Sequence, residues 1–520
     1  MAEPEPRSAT GPAARSFVHA GVSSRGVLRG VGWLAAARLL GMMLSLVSTA
    51  VLARILSPAD FGVMILVAVI ANLAAQVVEG GVAVPLVQRA QISTAHVHMA
   101  LLLATGVALI LSAGLVAIAQ VGQALAGREI IPAMVVVFAS LTMPFRAWIS
   151  VLSAILQREG RFRDNTIIAL QSNLFGNVLP ALALAWAGFQ IQALLVGLLA
   201  ASILEAALTA RAARIPRFRR PPLAAARDLA KASYAGTVMQ VINWAALSSP
   251  NFLVGTLFGA HALGLFSRGA TLVNLAKDVL GSSLSRVLLP TFAAMAHEPN
   301  RQVEAFSRAM AASLPAFAIA SVALVLHAEA AVRILLGPDW GQSIPVLQLL
   351  ALGLLPRISY KISDSLLMAK GEFWPVAGRQ LFYLMSIVGL SLCVTTLGLN
   401  GVAGAVTAAT TLYYCLSLRA VSNRLRLSGP QILRMHGTAA AWASSAAGLD
   451  MLLSWATRSL GFWPSQVTGG AGLALACTIL FFATPRGALG TDMAALRTRV
   501  CDHLASKLRS VRQRPMPSAG

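Results

Sequence analysis

Arg357, Lys361 and Asp364 are spaced by four and three residues inside an apolar stretch. On a helix that spacing stacks them on one face. Cations four apart repel, and one carboxylate neutralises only one of them. A charge at mid-bilayer costs about 2.5–3.5 kcal/mol, so the surplus cation calls for an anion or for a partner on another helix. Arg38 and Arg146 pose the same problem in two earlier apolar stretches. A guanidinium presents a planar fork that holds two phosphate oxygens at once, so the chemistry these residues suit is capture of a phosphate or diphosphate. Polar stripes accompany the charges: Asn72, Gln76 and Glu79; Thr142, Arg146 and Ser153; Asn173 and Asn177; Gln240, Trp244, Ser248 and Asn251. In lipid such stripes turn toward protein or a water-filled cavity, where they can face a sugar or a coupling ion.

A structural reading stands beside each of these. Arg38 and Arg146 can pair with Glu79 or Glu205, and Arg357, Lys361 and Asp364 can form a closed ion network. Ser, Thr and Asn stripes also hold helices together. Glu79, Arg268 and Arg286 can lie near helix ends and reach the interface, where His96, His98 and His261 are also placed.

The elements that must position these residues are membrane spans. The chain has 520 residues, 57% hydrophobic and 12% charged, with a mean hydropathy of +0.72. A soluble domain carries about 25% charge, so the apolar excess points to a bilayer as solvent. Runs of roughly 20 apolar residues give fourteen expected helical spans, at 27–53, 61–83, 98–119, 131–156, 166–187, 191–210, 233–258, 264–290, 310–335, 346–368, 376–397, 401–421, 438–456 and 467–483. The eighth is polar, and the last two carry the weakest signal. The N-terminus reads as a polar tail followed by a retained first helix rather than a cleaved secretory signal.

The net charge of +22 is mostly arginine between apolar runs, which is the pattern of cytoplasmic loops and not of a nucleic-acid-binding domain. Arg158, Arg161 and Arg163 follow the fourth span, a basic stretch from Arg211 to Lys231 follows the sixth, and Arg419, Arg424, Arg426 and Arg434 follow the twelfth. Arg54, Arg128 and Arg458 are nearly all that the opposite loops hold. Both termini are therefore expected in the cytoplasm.

The expected organisation is a cytoplasmic tail (1–26), a first lobe of six spans (27–210), a basic linker (211–232) and a second lobe of six spans (233–421). Two further spans (422–484) and a basic tail (485–520) follow, and apolar residues at helical spacing within 489–511 suit an amphipathic helix on an anionic membrane face. The lobes look weakly related: one offset places Gly62 on Gly264, Asn72 on Asn274 and Leu73 on Leu275. Internal repeats of this kind are a transporter device, with the substrate held between the halves. The four cysteines form no metal-type spacing, no phosphate-binding loop of the ATPase type occurs, and every loop is too short to hold a catalytic domain. These features point away from an enzyme and call for no cofactor or metal.

Three stretches carry a family resemblance. The first runs from Val51-Leu-Ala-Arg-Ile-Leu-Ser-Pro-Ala-Asp-Phe-Gly-Val to Val84-Pro-Leu-Val-Gln-Arg89. The second is Gly264-Leu-Phe-Ser-Arg-Gly-Ala with Leu284-Ser-Arg-Val-Leu-Leu-Pro290, and the third is Val332-Arg-Ile-Leu-Leu-Gly-Pro-Asp-Trp340 with Pro345-Val-Leu-Gln-Leu-Leu. In this order they resemble the Wzx-type polysaccharide flippases of the multidrug/oligosaccharidyl-lipid/polysaccharide exporter superfamily, from about residue 31 to 423. The resemblance implies an all-α polytopic membrane protein of about fourteen helices, in two pseudo-symmetric six-helix lobes plus two C-terminal helices. It implies a flippase of the bacterial inner membrane that moves undecaprenyl-pyrophosphate-linked oligosaccharides by alternating access for surface or exopolysaccharide synthesis. Its partners would be that lipid-linked substrate, membrane lipids, and a polysaccharide polymerase with its chain-length regulator. Related flippases hold the diphosphate with cavity arginines, a role that falls here to Arg38, Arg146, Arg357 and Lys361. Asn72, Gln76, Gln240 and Asn251 would line the cavity, and Glu79 or Asp364 would carry a coupling proton. The alternatives on the same fold are a lipid II flippase and a multidrug exporter, the latter disfavoured by the cationic inventory. A membrane-embedded polymerase or glycosyltransferase is the enzyme alternative.

Overall fold

Ser57 shows how local sequence starts a span. Its side chain accepts from the Asp60 amide, the Asp60 carboxylate accepts the Ser57 amide at 3.0 Å, and Pro58 takes the first helical position. Reciprocal capping of this kind satisfies amides that a helix start leaves without partners. The computed structural model describes residues 40–89, 92–126, 131–215, 221–222, 234–295 and 298–483. Among them every regular element is helical. Nine helices are long and apolar enough to cross a membrane, matching expected spans two to six and nine to twelve, and Leu40–Leu52 (α1) is a shorter apolar helix. The N-terminal tail, most of the basic linker and the C-terminal tail lie outside the described residues.

The chain divides into two units, Met1–Ser267 and Arg268–Gly520. In the first, α2 (Pro58–Val78) runs through a π-helical segment, Glu79–Ala83, into α3 (Val84–Gln88). Then come α4 (Thr94–Ala126), α5 (Ala133–Arg158) and α6 (Phe162–Gln171), a second π segment Ser172–Val178, α7 (Leu179–Trp186) and α8 (Ile191–Ala213). Helix α5 packs on α2, α4 and α8. Its contact stripe is Val135, Ala139, Met143, Ala147 and Val151, one residue per turn and all buried. It meets Ala100, Ala104 and Ala108 of α4 in the same core. Small residues at this spacing let helices approach where lipid gives no hydrophobic drive to associate. Pro144 inside α5 has no amide to offer the Ser140 carbonyl, and Ser112 of α4 donates to that carbonyl at 3.4 Å instead.

Arg158 has a structural task in this unit. It is buried, and its guanidinium donates to the carbonyls of Leu86 at 3.0 Å, Val87 at 3.2 Å and Arg89. These are the carbonyls that the end of α3 leaves open, so Arg158 caps that helix. A residue that reads in sequence as loop charge is thus an internal tie.

Helix α9 (Tyr234–Ala294) is broken at Gly259, whose φ of 83° lies outside helical geometry. Glycine takes this conformation without strain. Just beyond the break, α9 crosses the start of α2. A Cβ on Gly62 would lie 1.8 Å from the Ala260 carbonyl oxygen, and one on Gly264 would lie 1.7 Å from that of Pro58. The crossing is reciprocal: the glycine of each helix rests on the backbone of the other. Residues 58 and 62 relate to 260 and 264 by the same offset that aligns the two halves in sequence.

The second unit continues through α10 (Pro299–Leu326), α11 (Ala328–Leu335), α12 (Ser343–Leu352), α13 (Leu354–Ala369), α14 (Phe373–Cys393), α15 (Gly398–Leu425), α16 (Gly429–Ala456) and α17 (Phe462–Ala483). Helix α13 packs against α10 and α15, α14 against α15, and α16 against α10 and α17. The motif ending at Trp340 closes a short 3-10 turn, Pro338–Trp340, with the indole fully buried. It therefore anchors the path from α11 to α12.

Candidate substrate site

Helix α13 follows α12 after a break at Gly353, and the two together make one membrane-length element, Ser343–Ala369. Most of α13 is buried, but Arg357 and Lys361 remain half-buried one turn apart. A third cation joins them: Lys277, from the second arm of α9, lies within electrostatic reach of both. The Lys277 ammonium donates to Asn274 Oδ1 at 3.1 Å and lies 3.7 Å from Asp278 Oδ1. Asp278 is itself nearly half exposed, so water weakens what it returns to Lys277. Three like charges are thus gathered on two helices.

Asp364 shares the sequence stripe with Arg357 and Lys361, but its hydrogen bonds lead elsewhere. It is buried and accepts from Tyr413 Oη at 2.7 Å and Ser417 Oγ at 3.2 Å, both on α15. Tyr413 stacks on Tyr383 at 5.0 Å between ring centroids and stands edge-on to Tyr360 at 4.8 Å. The Tyr383 hydroxyl meets Thr410 Oγ1 at 3.1 Å. Asp364 also feels the charge of Arg379 on α14, whose buried Nε and Nη2 have no hydrogen-bond partner among the described residues. The carboxylate therefore belongs to a tyrosine-lined network.

The other residues that the sequence singles out as site candidates fall in the first unit, except Arg38, which is outside the described residues. Arg146 Nη1 stands 4.0 Å from Glu205 Oε2, with both side chains about a quarter exposed. That is a long ion pair in a half-wet setting. Glu79 opens the first π segment, and among the described residues it has no ion-pair partner. Asn72 and Gln76 of α2, and Gln240 and Asn251 of the first arm of α9, are half-buried. Among the described residues their side chains form no hydrogen bond, so their polar groups are left for water or ligand. Asn173 and Asn177 do bond one another, at 3.2 Å, within the second π segment. Arg268 is buried inside the protein, not extended to an interface.

An apolar cavity of about 840 Å³ opens among α10, α13, α15 and α16. Leu355, Tyr414, Leu418, Ile432 and Leu433 line it together with Pro356, the neighbour of Arg357 in the chain. Sequence reasoning did not assemble Lys277 with the α13 cations, because the pairing depends on how α9 lies on α13. It also passed over Arg379 and the tyrosine cluster, which single-helix stripes do not reveal.

A family described as polysaccharide biosynthesis protein matches residues 51–345. The succinoglycan biosynthesis transport protein ExoT of Rhizobium meliloti (strain 1021) is 28% identical over 334 residues, 64% of this chain and 67% of ExoT. Among solved structures, the lipid II flippase MurJ in its inward closed conformation superposes with a TM-score of 0.70 at 14% identity, covering 86% of this chain and 99% of that one. A multidrug resistance MATE family transporter in its inward-facing conformation gives 0.58 at 16% identity, covering 75% of this chain and 98% of its own. The fold is that of the flippases and multidrug transporters, and the relatives are transport proteins.

Proposed function

Because the chain belongs to the polysaccharide biosynthesis protein family, and is a multi-pass membrane protein with the flippase fold, we propose that it translocates a lipid-linked oligosaccharide carried on a diphosphate. The observation that carries this reading is the cation group of Lys277, Arg357 and Lys361 within an apolar helical unit. Like charges gathered in an apolar unit attract an anion. A diphosphate supplies two adjacent anionic groups, and Arg357 offers the paired donors that suit one of them. The apolar cavity beside Pro356 suits a polyprenyl chain, whose transfer from the bilayer costs little in so apolar a site. The half-buried amides of Asn72, Gln76, Gln240 and Asn251 are of the kind that bind sugar hydroxyls.

In this mechanism the headgroup enters from the cytoplasmic face, the cations hold the diphosphate, and a conformational exchange exposes it to the far face. Glu79 and Asp364 remain candidates for a coupling proton, and Arg38 and Arg146 for further anion contacts. ExoT is named for succinoglycan transport, which makes an exopolysaccharide repeat unit the first substrate to try. We place the protein in a bacterial inner membrane with both termini cytoplasmic, beside a polymerase and its chain-length regulator.

The test deletes the gene and complements it with wild type or with an R357A, K361A double variant of matched expression. Surface polymer and lipid-linked repeat units are then quantified. Loss of polymer with accumulation of cytoplasm-facing lipid-linked units, rescued by wild type alone, supports substrate and site together. Full rescue by the double variant removes the site. Polymer unaffected by deletion, with lipid II or drug export impaired instead, moves the substrate to one of those classes.

A further inference from the structure

Arg458 stands in the turn between α16 and α17, exposed and, among the described residues, without an ion pair. It lines a cavity of about 570 Å³ together with Met451 and Ser454 of α16, Ser465 and Gln466 of α17, and Leu326 of α10. One end of the Gln466 side-chain amide meets Nδ1 of His327, the residue that joins α10 to α11, at 2.8 Å. Whichever way that amide is turned, its other end is left for a ligand. Asp450 is the single acid of the lining. It is 3% exposed, and its oxygens are met by His327 Nε2 at 2.7 Å and Ser454 Oγ at 3.3 Å. Among the described residues, the charge this cavity leaves unanswered is therefore that of Arg458.

Helix geometry orders these groups along the hairpin. Arg458 is at the turn, Ser454 and Gln466 lie about one helical turn inward, and Met451 about two turns inward. Apolar surface follows the same axis. Trp455, which also lines the cavity, is 75% exposed, and Leu460 and Trp463 beside it are exposed as well. Further inward Met451, Leu452 and Val467 are exposed. Large apolar side chains clustered bare in this way mark a surface made for lipid. Tryptophan at the end of a helix pair favours the headgroup layer. The cavity thus runs from a cation, through hydroxyls and an amide, onto a greasy face.

We propose that the α16–α17 turn carries a binding site for a membrane phospholipid. Arg458 holds the phosphate, because its planar fork suits two phosphate oxygens. The open end of the Gln466 amide and the Ser454 and Ser465 hydroxyls meet the glycerol ester region. The acyl chains run over Met451, Leu452 and Val467. The order phosphate, ester, hydrocarbon is the order in which the cavity presents its groups. A free sugar or phosphate would leave the apolar face bare, and a hydrocarbon chain alone would leave Arg458 and Gln466 unmet. The site is independent of what the protein transports, so it stands or falls apart from the substrate reading.

The test titrates the full chain, purified in detergent and stripped of lipid, with phosphatidylglycerol and counts bound lipids by native mass spectrometry. The first lipid should be held about tenfold more weakly by R458Q than by wild type. R419Q, which removes another exposed arginine outside the cavity, should bind as wild type does. A diglucosyl diacylglycerol with the same chains, lacking the phosphate, should bind wild type no better than R458Q binds phosphatidylglycerol. Equal weakening by R458Q and R419Q, or equal affinity of wild type for the phosphate-free lipid, overturns the proposal. Inorganic phosphate that displaces the lipid at millimolar concentration would show a site for free anion and overturn it too. Displacement by an equal amount of a lipid-linked repeat unit would hand the site to the transported substrate, again against the proposal.

Discussion

Removing a charge from the α13 group should weaken transport without unfolding the protein, because Arg357 and Lys361 are half-buried and repel each other. A hydrogen bond to a charged group contributes about 1.5–3 kcal/mol. On the proposed function, R357A, K361A should lower the initial transport rate by about ten- to a hundredfold, read in inverted vesicles with a labelled lipid-linked repeat unit. A rate within twofold of wild type would exclude these two residues from the site. Tyr413 is a different case. It donates to the buried Asp364 carboxylate and is packed between two other tyrosines. Y413F keeps the ring and removes the donor, so its cost should be about 1–3 kcal/mol of stability, seen as a lower midpoint in detergent thermal unfolding. An unchanged midpoint would show that water or another hydroxyl takes its place.

Helix crossings in this protein depend on small residues at defined positions. Gly62 and Gly264 each meet a backbone carbonyl far inside contact distance for a Cβ, whereas a Cβ on Gly106 of α4 would meet nothing within 4 Å. We predict that G62A destabilises the protein by about 1–3 kcal/mol through overpacking. G106A should be neutral or stabilising by up to about 1 kcal/mol, because alanine is the better helix former. Equal effects of the two on unfolding would argue that the α2–α9 crossing is not tightly held. Arg158 tests an element end: R158M should free the carbonyls at the close of α3 and increase proteolysis there, and an unaltered cleavage pattern would rule out its capping role.

At the scale of the molecule, the arginine distribution makes a topological statement that the helices alone do not. Reporter fusions at both ends should report the cytoplasm, and one at Arg458 the opposite face. A fusion at Arg458 that reports the cytoplasm would reverse the orientation of the α16–α17 hairpin.

The apolar excess already points to lipid as the solvent and to helices as the elements. Apolar runs of membrane length dictate helices, since a backbone in lipid must satisfy its own hydrogen bonds. Eight of the nine apolar spans lie close to where hydropathy puts them; the ninth, expected at 310–335, instead runs Pro299–Leu326 and gives way to a separate helix, and the Ser57 cap is as its residue types require. The offset that aligns Gly62 with Gly264 was likewise legible, and it reappears as a reciprocal contact. Partnerships between helices were not legible. Arg357, Lys361 and Asp364 share one face in sequence, yet Asp364 bonds Tyr413 and Ser417 of α15, while Lys277 of α9 approaches the two cations. His327 and Asp450 lie 123 residues apart and meet at 2.7 Å. Periodicity fixes only which residues share a face of one helix. What each face meets is set by packing among residues distant in the chain, which periodicity along one helix does not encode.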